Sequence, residues 1–413
     1  MLGCGTVGRG LVELIQRNRA LIHQRSGVEL SLARILVRDL HKQRPGVDRD
    51  LLTVHPDKVI NNGCDLVVEV VGGIEPARTL IQRSLATGKH VVTANKALLA
   101  VDGFALLKTA EDRKLRLGFE ASVCGGIPII RVLRNGLVGN QIQSLSGILN
   151  GTCNYILTRM TEDGMEFSHA LAEAQAKGFA EADPTLDIDG RDAAQKLKIL
   201  AELAFNVWID AQSVHIEGIR GITADDVQAA SELGYVIKPL ATAELAADVV
   251  TLEVRPVLLP HAHQLAAVRD ENNAVLVRGD AIGQMLFSGK GAGSLPSASA
   301  VLSDIVDIAC YRGGFASTPN GTVLAGPSGK SSKYYLRFPV TDPSAIGPIT
   351  TILERSGVPV ARAAALWAKH PLGRNQVRVL THACSGGAIE TCIAEVGRLG
   401  LSNSESLGLP IAE

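Results

Sequence analysis

Gly3-Cys4-Gly5-Thr6-Val7-Gly8 has the spacing G-x-G-x-x-G, and it runs into Leu11, Val12, Leu14 and Ile15, which share one face of a helix. No other stretch constrains the fold as much. Glycines at these offsets permit a tight strand-to-helix turn and the close approach of a pyrophosphate, which the helix N-terminus then attracts. Alone the hexapeptide is a weak signal, because glycine-rich turns without ligands are common. Its surroundings strengthen it. Leu30 to Arg38 reads as the next strand, Asp65 to Val71 as another ending at Gly72-Gly73, and His90 to Thr93 as a third ending at Ala94-Asn95-Lys96. Continuous apolar runs interleaved with helical segments predict a parallel sheet covered on both faces. Ligands gather at the carboxyl ends of such strands, where Thr93 and Lys96 lie. The second strand ends in Arg38, with Lys42 and Arg44 close behind. A cation there suits a 2′-phosphate, which favours NADP, while the adjacent Asp39 keeps NAD open.

A sheet of this kind is built around a first strand of roughly five or six residues before the glycines. Only Met1 and Leu2 precede Gly3. The expectation is that flanking strands keep unpaired backbone groups, and that a Val/Ile/Leu-rich segment belongs upstream of Met1.

With 413 residues, 46% hydrophobic and 20% charged, the chain is long enough for two or three cores. A formal net charge of −1 with no basic tract argues against nucleic acid as a partner. No apolar run approaches a membrane span. Seven scattered cysteines form no metal-ligand spacing and fit reduced thiols in a cytoplasmic protein.

The clearest sign of chemistry is the cluster Glu181, Asp187, Asp192 and Lys196. From Arg191 to Leu203 the chain reads as helix, and Lys196 falls on the apolar stripe with Ala193, Ile199, Leu200 and Leu203, one turn from Asp192. Lys198 points the other way, where a solvated lysine needs no explanation. A lysine and an aspartate on the buried face should pair, because unpaired buried charge is costly. Burial also makes such a lysine tunable. Two readings stand at this point: a structural ion pair, or an acid placed for catalysis.

Taken together the motifs resemble homoserine dehydrogenase, in the longer bacterial form with a C-terminal ACT domain. The resemblance runs through the Gly3 to Gly8 turn, Thr93-Ala94-Asn95-Lys96, Gly118 to Val123, Ser146 to Thr152, and Gly178 to Pro184 continuing through Asp187, Gly190 and Asp192 to Lys196. It implies reversible NAD(P)H-dependent reduction of L-aspartate 4-semialdehyde to L-homoserine, on the route to threonine, methionine and isoleucine. Reducing an aldehyde needs a proton at the developing alkoxide, so a cationic acid near that oxygen serves twice. The resemblance gives Lys196 and Lys96 this role, and Glu181, Asp187 and Asp192 the substrate. Gly3, Gly5, Thr6, Val7, Gly8, Arg38, Thr93, Lys96 and Gly291 match cofactor positions. Phe287-Ser288-Gly289-Lys290, before Gly291, departs from the family's usual tyrosine, glycine and proline. The loop Glu120 to Pro128 resembles one that holds a monovalent cation, Na⁺ or K⁺, mainly through carbonyl oxygens, and points to Glu120, Val123, Gly125 and Ile127.

The family's α/β architecture implies a Rossmann-type NAD(P)-binding domain over residues 1–115, completed by about 297–325. Residues 116–296 become an α+β substrate-binding and dimerisation domain, and 330–413 a ferredoxin-like ACT domain, with Gly326 to Ser332 as linker. A helix from about 297 to 311 should return to the nucleotide domain. For the last module the runs predict strands at Lys333–Val340, Val360–Leu366 and Val377–His382, and helices at Ile346–Arg355 and Ala388–Leu399. Asp342-Pro343-Ser344-Ala345 lacks the glycine of the usual Asp-x-Pro-Gly amino-acid-binding turn, so threonine feedback and a purely structural role both stay open. A homodimer or homotetramer is expected. The rival functions are a non-catalytic amino-acid-binding regulator and another NADP-dependent amino-acid oxidoreductase.

Overall fold

The computed structural model describes residues 1–246, 248–310, 321–322, 324–325, 330–366, 375–402 and 405–412. Helix α1 (Thr6–Arg17) leaves the glycine turn and buries Leu11, Val12, Leu14 and Ile15. Strands β1 (Ile35–Leu36), β2 (Leu52–Thr53), β3 (Leu66–Glu69), β4 (His90–Thr93) and β5 (Leu117–Gly118) pair in parallel with their neighbours. Leu2 occupies the place between β1 and β3, bridging Leu36 on one side and Glu69 on the other. Its N–H donates to Val68 O at 2.7 Å, and Val70 N donates to its carbonyl at 2.9 Å. Flanking strands are therefore paired at this level, which corrects the expectation of bare edges there. The run Leu30–Arg38 yields only two residues of regular strand. Met1 O accepts from Leu36 N at 2.8 Å, Gly3 N donates to Leu36 O at 3.0 Å and Val37 N to Thr53 O at 2.8 Å, so partners reach only this short stretch. After β4 the chain enters α2 (Lys96–Asp112), capped by Asn95, whose side chain accepts from Leu98 N at 3.2 Å.

The middle of the chain builds antiparallel β6 (Ile142–Ile148), followed by α3 (Gly151–Glu162), α4 (Arg191–Phe205) and α5 (Ala224–Glu232). Strands β7 (Tyr235–Ala246), β8 (Val249–Pro260), β9 (Asn272–Gly279) and β10 (Gly283–Lys290) complete this part in the order β10-β9-β6-β7-β8. α4 lies on β6, β7 and β8, with Ala193, Leu197, Leu200 and Ala201 in the shared core. Helix α6 (Ser294–Cys310) then returns along α1, β4 and β5. Gly10 makes this contact possible, since a Cβ there would lie 2.6 Å from Ser294 Oγ.

A second α+β unit follows: β11 (Ser331–Pro339), α7 (Ile346–Arg355), β12 (Val360–Leu366), β13 (Gln376–Thr381), α8 (Gly386–Arg398) and β14 (Leu407–Ile411). Its order β14-β11-β13-β12 around a core of Leu336, Phe338, Ile349, Leu353, Val377 and Ile389 is ferredoxin-like. Leu258 of β8 pairs with Ile411, so the sheets join through this one register position. A buried polar seat reinforces the joint. Asp226 of α5 accepts from Arg337 Nε at 2.9 Å and Tyr335 Oη at 3.0 Å, while Arg337 Nη2 donates to Gly221 O at 2.8 Å. Asp342 caps the turn after β11 through Ser344 N at 2.9 Å. Gly326 to Gly329 of the expected linker, and 311–320 within the expected completing segment, lie outside the described residues.

Candidate active site

Gly190 starts α4 at φ +82°, a left-handed conformation that favours glycine. The turn puts Asp192 in the first turn of the helix and Lys196 one turn on, 6% and 9% exposed. Lys196 Nζ donates to Asp192 Oδ2 at 2.7 Å and to the carbonyl of Leu149, at the end of β6, at 2.7 Å. The other oxygen of Asp192 is taken by Lys96 Nζ at 2.9 Å. Lys96 is the first residue of α2, where the helix dipole disfavours a cation, and the carboxylate offsets that. One buried carboxylate thus sits between two ammonium groups. Burial alone would raise the Asp192 pKa, but Lys196 and Lys96 overcome it and hold the carboxyl well below its usual range. For Lys196 burial works downward, and Asp192 reverses the sign, so its proton is held above the ordinary lysine value. Two of the three ammonium hydrogens are engaged; the third is available to a substrate oxygen.

Asn150 extends the cluster. Its side-chain N–H groups donate to Asp187 Oδ1 at 2.7 Å and Asp192 Oδ2 at 2.8 Å, while its Oδ1 caps α3 at Cys153 N, 2.8 Å away. Burial pushes the Asp187 carboxyl up. Glu181 is exposed at the mouth, and no hydrogen bond or ion pair from the described residues engages its carboxylate. Lys96, Glu181, Asp187, Asp192, Lys196 and Gly291 line one cavity of about 750 Å³. The residues read from the helix pattern and from Gly291 therefore come together.

The glycine turn stands apart from that cavity's lining. Gly3 has φ +97°, and a Cβ there would meet Val70 O at 2.7 Å; one at Gly8 would meet Gly3 O at 3.0 Å. Gly5 faces open space, and no side chain caps α1, so the amides of Thr6, Val7 and Gly8 lie at an uncapped helix N-terminus. This cradle fits a pyrophosphate. Arg38 is exposed just past β1. Thr93 is fully buried, and its hydroxyl donates to Glu69 Oε2 at 2.5 Å, so its side chain braces the strand ends from beneath.

At Glu120 the carboxylate is already committed, accepting from Ile130 N and Arg131 N at 2.8 Å each. Burial pushes its pKa up to about 7. Lys198 corrects the helical reading: it points away from Lys196, yet it is 5% exposed and pairs with Glu202 at 2.6 Å, beside the Trp208 ring.

The profile for the NAD-binding domain of homoserine dehydrogenase matches residues 3–120, and the profile described as homoserine dehydrogenase matches 128–306. Homoserine dehydrogenase from Bacillus subtilis is 38% identical over 391 residues, 92% of this chain and 90% of that protein. The chain belongs to the homoserine dehydrogenase family. The Pseudomonas aeruginosa member is 39% identical over 415 residues, 96% of this chain and 94% of the relative. The crystal structure from Thiobacillus denitrificans superposes with a TM-score of 0.91 at 39% identity, covering 100% of this chain and 97% of that one. A hyperthermophilic archaeal family member, solved in complex with NADPH, gives a TM-score of 0.65 at 26% identity over 76% of this chain and 98% of its own.

Among the described residues no helix is long and apolar enough to cross a membrane. Sequence reasoning missed three members of the site's framework. Asn150 carries an N-cap signal that hides its second task. Asn273 lines the cavity and donates to Leu149 O at 2.9 Å, and belongs to no motif that would mark it in the sequence. Glu69 is fully buried and accepts from Val71 N at 2.7 Å and Gly72 N at 3.1 Å as well as from Thr93. Its only sequence signal is a carboxylate inside an apolar strand.

Proposed function

We propose that this chain is an NAD(P)-dependent homoserine dehydrogenase, interconverting L-aspartate 4-semialdehyde and L-homoserine, with NADP preferred. The observation that carries the reading is the Lys96–Asp192–Lys196 array on one cavity wall, with Gly291 on the same cavity. Hydride donation to the carbonyl carbon is the chemistry a bound nicotinamide contributes. Lys196 directs its remaining N–H at the aldehyde oxygen, stabilises the developing alkoxide and gives it a proton. Lys96 lies across the same carboxylate and adds a second positive charge. Asp192 keeps Lys196 protonated and orients both lysines, and Asn150 locks Asp192 to Asp187. Asp187 and the unengaged Glu181 supply acceptors for the substrate ammonium.

The glycine turn holds the pyrophosphate on the amides of Thr6, Val7 and Gly8, and Arg38 reads the 2′-phosphate. Thr93 acts through its brace on Glu69. A monovalent cation, Na⁺ or K⁺, is held by carbonyl oxygens of Glu120, Val123, Gly125 and Ile127. In support, those of Val123 and Gly125 accept no hydrogen bond from other described residues, whereas that of Ile127 already accepts from Ile129 N at 2.8 Å. Residues 1–115 with 297–325 form the nucleotide domain, 116–296 the catalytic and dimerisation domain, and 330–413 an ACT domain whose role is structural or threonine-sensing. The assembly is a homodimer or homotetramer in the cytoplasm, serving threonine, methionine and isoleucine synthesis.

A spectrophotometric assay decides the reading. Aspartate semialdehyde should drive oxidation of NADPH, and homoserine should drive reduction of NADP. Absence of turnover in both directions, with cofactor bound, would refute it.

A further inference from the structure

Lys196 is held from two sides. Asp192 is on its own helix, but the second acceptor, Leu149 O, ends a strand 47 residues earlier in the chain. That carbonyl accepts a second hydrogen bond, from Asn273 Nδ2 at 2.9 Å. Asn273 is the second residue of β9, which pairs with β6 at Ala274 and Ile148, and it is 1% exposed. Because a carbonyl only accepts, the amide nitrogen must face Leu149, and this fixes the orientation of the whole side chain. Its Oδ1 is buried and accepts no hydrogen bond from the described residues. A buried acceptor without a partner lowers stability, so folding alone does not explain an asparagine here.

The other neighbour is Gly291. A Cβ on Gly291 would lie 2.1 Å from Asn273 Cγ and 2.1 Å from Oδ1, and the glycine is not in a left-handed conformation. No left-handed φ bars alanine at 291, and the three atoms nearest to such a Cβ all belong to the Asn273 side chain. Asn273 therefore stands between Lys196's carbonyl acceptor and the glycine-rich turn of the same cavity.

We propose that Asn273 is a positioning residue: by occupying one lone pair of Leu149 O and fixing that peptide, it sets where the Lys196 ammonium points into the cavity. This rests on the functional reading above. The hydrogen bond from Lys196 then has one lone-pair direction left to it, and the peptide leading into the Asn150 cap cannot rotate away. Asn150 fixes the carboxylate side of Lys196, and Asn273 fixes the carbonyl side.

The test uses the full chain with NADPH and aspartate semialdehyde. Asn273→Leu, similar in size and unable to donate, should keep or raise the melting temperature. It should leave KM for the aldehyde within about twofold and lower kcat roughly 10- to 100-fold, as expected for a displaced catalytic group. Gly291→Ala should reproduce the kcat loss by pushing Asn273 aside. In the Asn273→Ala background, which removes the three atoms nearest to that Cβ, adding Gly291→Ala should cost less kcat than it does alone. The proposal is overturned if folded Asn273→Leu keeps kcat within about twofold of the unsubstituted chain. It is equally overturned if Gly291→Ala costs as much in the Asn273→Ala background as alone, which would place its effect on the cofactor. An unsubstituted chain that binds NADPH and turns nothing over would sink the functional reading itself, and this inference with it.

Discussion

Replacing Asp192 by asparagine keeps the shape of the site and removes the charge between its two lysines. Lys96 is 40% exposed at its side chain, so water screens most of what it loses. Lys196 has no such relief, with its side chain 11% exposed. Stranding one member of a buried pair costs about 3–5 kcal/mol. A lysine escapes much of that by releasing its proton, and each pKa unit corresponds to about 1.4 kcal/mol. With the carboxylate gone burial is unopposed, so the Lys196 pKa falls from above its ordinary value to below it. Only the ammonium can protonate the alkoxide. In the unsubstituted chain, kcat for aldehyde reduction should therefore stay level through pH 9 or so, as Asp192 holds the Lys196 pKa up. In Asp192→Asn the alkaline fall should begin at lower pH than in the unsubstituted chain, from a plateau already lowered by some 10- to 100-fold through lost orientation. Stopped assays at saturating NADPH from pH 6 to 10 would read this, with circular dichroism confirming the fold. An alkaline limb unchanged by the substitution would refute the argument that Asp192 sets the protonation of Lys196.

Lys196→Ala should nearly abolish turnover while NADP still binds, and Lys196→Arg should not restore it, because a guanidinium does not exchange protons near neutral pH; near-normal turnover in either removes Lys196 from its role. Arg38→Ala should raise KM for NADP by about tenfold or more and leave KM for NAD nearly unchanged, whereas equal effects would show that Arg38 does not read the 2′-phosphate. Glu120 has its folded pKa raised to about 7 and Asp304 to about 6, each by burial first, so both bind protons more tightly folded than unfolded. Stability from these groups is full below about pH 4 and is lost as pH rises through 6 and 7, so the melting temperature should decline over that window, more steeply than in Asp304→Asn; a parallel decline in the two proteins argues against this assignment. Lys238 is buried, pairs with no carboxylate among the described residues and donates to Val268 O and Asn154 Oδ1, and burial lowers its pKa to about 8. Its charged form destabilises the fold below that pH, so Lys238→Met should melt at a higher temperature at pH 7 and lose the advantage by pH 10, and a lower melting temperature at both would count against it.

What could be read in advance was what lies close along the chain. Asp192 and Lys196 are four residues apart on an apolar stripe, so helical period alone makes them meet. Lys96 reaches the same carboxylate from another domain, and no local rule connects residues that far apart. Leu149 contributes a backbone oxygen, which leaves no side-chain signature. Lys198 shows the limit of the helical wheel: it reports direction, whereas burial depends on what other elements cover that face, here Trp208 and Glu202. In the ferredoxin-like unit, long apolar runs disclosed three strands and both helices. The fourth strand, Leu407–Ile411, follows a Ser-rich stretch and is interrupted by Pro410, so its pattern is too short to stand out.

The seat of Asp226 bears on how separable the C-terminal unit is. Its Oδ2 is spent on the Thr223 cap of α5, and its Oδ1 on Arg337 and Tyr335 of the neighbouring unit. Cutting the chain after residue 330 would therefore be no clean excision. It would strand a fully buried carboxylate with half its donors gone, and bare the flank of β8 where Ile411 had closed it. A truncated version would need Asp226 replaced by a residue that caps α5 without seeking a cation, such as serine, before it could stand alone.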